Sequence, residues 1–140
     1  MSRFDRTRFV AFGISSALNA IALALYALGL ATHGIGGAAN AQPVLFVLIG
    51  VCLLGAMYTF IKRGHDIGRP GWQIVLAFWI ALGGGPLLLV LIGYLALAKG
   101  TAGDNAYGPP PQPMTAATWF WAAVALAAPW MAFAIAARLA

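Results

Sequence analysis

"WQIVLAFWIALGGGPLLLVLIGYLALA", Trp72 to Ala98, is the stretch on which the fold turns. Its 27 residues are almost wholly apolar, more than the roughly 20 that a helix needs to cross about 30 Å of hydrocarbon. Yet "GGGP" at Gly83–Pro86 divides the run into halves of about eleven and twelve residues. In a helix interior Gly is about 1 kcal/mol and Pro about 3 kcal/mol worse than Ala, so three of one and one of the other break the helix. Each half is then about 17 Å long at about 1.5 Å per residue, enough for half the hydrocarbon. The expectation is two short helices that turn back to the side they came from. The alternative is one tilted, kinked crossing.

Working outward, the broken run is flanked by the chain's two polar motifs, "KRGHDIGRPG" from Lys62 and "GTAGDNAYGPPP" from Gly100. A hairpin brings them together, so that Asp104, Asn105 and Tyr107 lie within reach of Arg63, His65 and Arg69. A single crossing leaves them about 30 Å apart, on opposite faces of the membrane.

The rest of the chain sets the surroundings of this hairpin. Of 140 residues, 62% are hydrophobic and 8% charged. Soluble domains carry about 25% charged residues, so this chain cannot cover a water-facing surface. We expect an all-α, polytopic membrane protein with about four apolar helical segments, residues 1–140 forming a single membrane domain. The net charge of +5 is not a nucleic-acid signal, because the basic residues lie beside apolar runs, where they face anionic lipid. Cys52 is the one cysteine and sits inside an apolar run, which excludes an intrachain disulfide or a thiolate metal site and leaves a packing role.

The first helix is expected at about Phe9–Ala31, 23 residues. That exceeds the apolar core of a signal peptide (about 7–15 residues), so it reads as a retained helix despite the "ANA" at Ala39–Ala41. Gly13, Ser16, Ala20, Ala24, Ala27 and Ala31 form a small-residue stripe along it, suited to close helix packing in lipid, and Asn19 beside the stripe is expected to bond across a helix interface. The second helix is expected at about Pro43–Ile61, with Pro at its first turn. The last, at about Ala116–Leu139, is alanine-rich, with a small stripe at Ala128, Ala132 and Ala136.

Arg3, Arg6 and Arg8 precede the first helix, and Lys62, Arg63 and Arg69 follow the second, while the loop between those helices has no Lys or Arg. The positive-inside bias therefore places the N-terminus and the charged loop in the cytoplasm. It does not decide the broken run: hairpin and crossing each leave seven basic residues inside and one outside.

Within the charged loop, Gly64 is expected to end the second helix in a left-handed cap, with Lys62 and Arg63 in the last turn. Asp66 is surrounded by groups that can donate to it, Arg69 and His65 first among them. Three uses of the cluster stay open: a structural ion-pair network, an anion or headgroup site on Arg63, His65 and Arg69, and acid–base chemistry. No catalytic residue, metal site or cofactor is assigned, since no zinc-protease, P-loop, dinucleotide or nucleophile-elbow motif occurs.

At these residues a resemblance appears. "KRGHDIGRPGW" resembles the Arg-Arg-Leu-His-Asp-x-Gly-Arg-Ser-Gly-Trp signature of a bacterial inner-membrane family catalogued as domain of unknown function eight hundred and five. "GTAGDNAYGPPP" resembles its second signature, Gly-Thr-x-Gly-x-Asn-Arg-Tyr-Gly-Pro. The similarity covers about residues 3–110, leaving 116–139 as an additional C-terminal helix. Gly64, Pro70 and Ala106 stand where the signatures have Leu, Ser and Arg. The resemblance implies the bacterial inner membrane and no established activity.

Two functional readings follow. The first is a non-enzymatic accessory or interaction subunit, with membrane lipids and other membrane subunits or further copies of itself as partners. The second is a protein that handles lipid or a small solute through a site at the cytoplasmic face, built on Arg63, His65, Asp66, Arg69, Asp104, Asn105 and Tyr107.

Overall fold

The computed structural model describes residues 3–33 and 42–139. The glycine-rich loop carrying "ANA" lies outside them. Helix α1 (residues 6–33) runs without interruption through a short α-helical turn, Arg6–Arg8, a π-helical segment, Phe9–Ile14, and an α-helix, Ser15–His33. It is followed by α2 (Gln42–Asp66), α3 (Gly71–Gly83), α4 (Pro86–Leu97) and α5 (Ala116–Leu139). Three helical spans, Arg6–Ala31, Gln42–Asp66 and Ala116–Arg138, are long and apolar enough to cross a membrane. The chain is an integral membrane protein of the polytopic helical class.

The broken run folds as a hairpin. Gly84 N–H closes α3 on the Ile80 carbonyl at 3.0 Å, Gly85 turns the chain with φ of 57°, and Pro86 opens α4 at a position where its missing N–H is not needed. Both feet of the hairpin stand at the C-terminus of α2. At one foot Gly71 faces His65; at the other, Arg63 Nε donates to the Leu95 carbonyl at 2.8 Å. The tip is level with the middle of the long helices, where Leu82 and Leu88 line a cavity of about 120 Å³ together with Ala20, Ala24 and Ile49.

Aromatic rings fasten the hairpin to the bundle. Phe9, Phe60 and Phe78 come from α1, α2 and α3 and are almost fully buried. They meet edge-on, with centroids 5.1 Å apart for Phe9–Phe60 and 5.3 Å for Phe60–Phe78. The α1 stripe packs on α2: a side chain at Gly13 would come within 2.7 Å of Thr59 Oγ1, and one at Gly55 within 3.5 Å of Ser16. Cys52 is buried in a second apolar cluster with Leu23, Leu45 and Phe133.

Helix α5 runs parallel to α1, and a polar clip joins them. Pro129 cannot donate to the carbonyl of Ala125. Asn19 Nδ2 donates instead to the Ala125 and Leu126 carbonyls at 3.3 and 3.0 Å, and Trp130 Nε1 donates to Asn19 Oδ1 at 3.0 Å.

One expectation is corrected. The second helix continues to Asp66, and Gly64 is not its cap. Gly64 is a helical contact residue, because a side chain there would collide with Ile74 of α3. The left-handed position is Gly68, with φ of 77°; its N–H donates to the His65 carbonyl and the Arg69 N–H to that of Gly64, the reciprocal bonds of a Schellman ending. Gly83, Gly84, Gly85 and Pro86 are all exposed.

Candidate functional site

A helix C-terminus leaves its last four carbonyls without intrahelical partners. At the end of α2 every one is taken. Ile67 N–H donates to the Arg63 carbonyl, Arg69 N–H to that of Gly64, and Gly68 N–H to that of His65. Asn105 Nδ2 adds a second bond to the His65 carbonyl at 2.9 Å. The Asp66 carbonyl accepts from both the N–H and the hydroxyl of Thr101, at 2.8 and 2.9 Å. Asn105 is held in turn by Tyr107 N–H on its Oδ1 at 2.8 Å, and by paired backbone bonds with Gly108, whose φ of 116° suits glycine. The second polar motif is therefore a cap for the helix that ends in the first.

Below this cap lies a buried ionic cluster. Arg63 is 1% exposed and Asp66 3%. Arg63 uses all three of its guanidinium nitrogens: Nη1 pairs with Asp66 Oδ2, Nε donates to the Leu95 carbonyl and Nη2 to that of Ala98. Three donations from one planar group tie α2, its own last turn and the end of α4 together. Arg3 approaches Asp66 from the other side, with Nε 4.0 Å from Oδ1. It also donates to the carbonyls of Pro109, Gly103 and Thr101 at 2.8, 3.0 and 3.4 Å.

The fit around the carboxylate is close. A Cβ on Gly100 would run into the Asp66 side chain, so only glycine lets the backbone pass there. His65 is buried and stacks on Tyr107, with ring centroids 4.1 Å apart and planes 4° from parallel. Its Nδ1 has no hydrogen-bond partner among the described residues.

The structure brings together Arg63, His65, Asp66, Asn105 and Tyr107 among the residues singled out from sequence. Arg69 and Asp104 do not join them: both side chains are exposed and without an ion-pair partner among the described residues. Asp66 pairs with Arg63 and Arg3, and not with Arg69 or His65. Chemically, this arrangement neutralises charge and caps carbonyls.

Sequence reasoning missed the N-terminal arginines as members of the site. Arg6 donates to the Leu97 and Ala98 carbonyls at 3.1 and 3.4 Å, closing the end of α4. Arg8 reaches the Gln112 and Pro113 carbonyls and pairs with Asp5 at 3.1 Å. No local signal marked them, because the positive-inside bias already accounts for a basic N-terminus. A polar recess of about 350 Å³ remains beside the cluster, bordered by Asp5, Arg6, Arg63, Asp66, Gly100 and Thr101.

With the geometry established, similarity to known proteins is informative in one respect. A family model described as "Protein of unknown function (DUF805)" matches residues 1–109, which ends the match before α5. No curated protein and no solved structure matches the chain.

Proposed function

The chain belongs to the DUF805 family, and on that premise we propose that it is a non-enzymatic accessory or interaction subunit of a larger membrane assembly. Its place in this reading is the bacterial cytoplasmic membrane, with the N-terminus and the Arg63–Asp66 end facing the cytoplasm. The observation that carries the proposal is the contrast between the two parts of the molecule. Arg3, Arg63, Asp66 and Asn105 at the charged end are turned on one another and on backbone carbonyls, while the hairpin turn, Gly83–Pro86, lies uncovered. Irregular backbone within the hydrocarbon is tolerated only where protein or an aqueous cavity covers it.

Orientation is supported by charge. Seven of the eight basic residues belong to segments at the Arg63 end, and Arg138 alone lies at the far end of α5. The test is native mass spectrometry of the protein extracted directly into lipid nanodiscs. A complex of two or more chains is expected; a lone monomer would count against the reading.

One observation favours the second reading, headgroup or solute handling. The recess beside Arg6 and the exposed Arg69 together offer cationic groups at one face. Phospholipid that stays bound in the same experiment and is lost on Arg6→Gln would support it.

A further inference from the structure

We infer that the molecule seats one anionic phospholipid between α1 and α4, its phosphate on Arg6 and Lys99 and the end of an acyl chain in the apolar cavity beside the hairpin tip. The inference rests on the second reading, headgroup handling, and names the lipid class and its seat.

The first ground is uncompensated charge at one end of the groove. Of the carboxylates near Arg6, Asp5 pairs with Arg8 at 3.1 Å, and Asp66 is taken by Arg63 and Arg3. Arg6 is exposed and spends Nη2 on the Leu97 and Ala98 carbonyls, with no ion pair among the described residues. Lys99, next after Ala98, is also exposed and has no ion pair there. Two unpaired cations thus stand at the end of α4, beside the recess bordered by Arg6 and Thr101. A phosphate complements them, and a guanidinium suits its geometry better than any other side chain.

The second ground is continuity. Arg6, Val10, Ile14, Ala17 and Ile21 recur at spacings of four and three, which keeps them on one face of α1. Arg6 sets this face against the end of α4, while Ala17 and Ile21 line the cavity together with Leu88 near its start. Between the two ends Val10 is 46% exposed. An apolar strip therefore leads from the cations to the cavity.

The third ground is the depth and lining of the cavity. Every residue around its 120 Å³ is apolar, and such a cavity does not hold water. Ile21 and Ala24 at its edge are exposed, so it opens on the surface of the bundle. At about 1.5 Å per residue, Ala17 lies about 16 Å along α1 from Arg6, and half the hydrocarbon is about 15 Å thick. A tail hung from a phosphate at Arg6 ends at this level. Free phosphate could meet the cations and would leave the cavity empty, so the occupant is a lipid.

Native mass spectrometry of the full chain tests this, after reconstitution into nanodiscs of equal parts dioleoyl phosphatidylglycerol and dioleoyl phosphatidylcholine. One phosphatidylglycerol retained per chain, several-fold over phosphatidylcholine, is expected. The double variant Arg6→Gln, Lys99→Gln should abolish that preference, and Arg69→Gln, at the α2–α3 turn, should keep it. Ala24→Phe and Ile21→Trp each place a larger side chain at the cavity edge and should lower retention of both lipids several-fold. Two such variants guard against failure of one to fold. Retention that depends on Arg6 and Lys99 but survives both cavity variants would overturn the seat and leave the headgroup reading standing. Loss on Arg69→Gln as deep as in the double variant would likewise overturn the seat alone. A wild type that retains neither lipid, or both equally, would overturn the inference and the headgroup reading together. Loss in the cavity variants with the double variant unchanged would also overturn both.

Discussion

With Arg63 and Arg3 both drawn onto it, Asp66 is the side chain whose loss the cluster tolerates least. Removing one member of a buried pair leaves the other charge uncompensated, at about 3–5 kcal/mol. Asp66→Ala is therefore expected to lower thermal stability in detergent and accumulation in membranes. Lys62→Ala, whose ammonium lies 5.2 Å over the Tyr58 ring at the surface, should change stability by no more than about 0.5 kcal/mol. Equal behaviour of the two variants would contradict a structural ion-pair cluster. Glycine supplies a companion test. Gly100→Ala forces a methyl into the Asp66 carboxylate and should destabilise by about 1–3 kcal/mol. Gly103→Ala, with nothing within 4 Å of the added carbon, should be neutral. The pairing of Asp66 with Arg3 was not legible in sequence. No local spacing connects residues so far apart, and charge bias alone already accounted for a basic N-terminus.

Helix contacts in this protein hinge on a few polar or small positions. Asn19 was recognisable as an interface residue because an amide within an apolar helix needs a partner. Its particular role depends on Pro129, more than a hundred residues away. The Pro129→Ala variant restores an N–H that can satisfy the carbonyl of Ala125. Asn19→Leu should therefore destabilise less in a Pro129→Ala background than in the wild type, with a coupling of about 0.6–1.7 kcal/mol. Additive effects in a double-mutant cycle would deny the clip. Gly64 offers a second cycle. It stands where the resembling signature has leucine, and its missing side chain is replaced by Ile74 from α3. Gly64→Leu alone should cost about 1–3 kcal/mol through overpacking. Paired with Ile74→Ala it should cost markedly less, as read from melting temperatures. The sequence pointed to Gly64 as a helix stop, since glycine after a basic last turn is a common ending. Packing overrode it, because Gly68 two residues beyond Asp66 takes the left-handed position as readily.

At the scale of the whole chain, the hairpin collects Lys99 and the N-terminal arginines at one end and leaves Arg138 at the other. Cysteine labelling in a Cys52→Ala background is expected to place Arg69→Cys and Lys99→Cys on the cytoplasmic side and Arg138→Cys on the outside. Labelling of Arg69→Cys and Lys99→Cys from opposite sides would mean a full crossing instead of a hairpin. Helix α5 extends past the matched family region, and only 11% of its apolar window is buried, against 39% for α1 and 28% for α2. Truncation after residue 113 should therefore leave the Arg63–Asp66 cluster assembled, measurable as retained protease resistance of the α1–α4 core.

Membrane character, the number of apolar segments and the break at Gly83–Pro86 were determined by the sequence itself. The bilayer responds to apolarity over about 20 consecutive residues, and glycine and proline act on the turn in which they stand. These are local properties, readable without knowing what lies alongside. The direction in which the broken run continues was not local: both arrangements left the same count of basic residues on each side. Tertiary structure decided it, through Arg63 on the carbonyls of Leu95 and Ala98, Thr101 and Asn105 on the last carbonyls of α2, and Arg3 on Asp66. Each of those bonds joins groups that are strangers in the chain, and they form only when the hairpin has already returned both of its feet to the same end of the bundle.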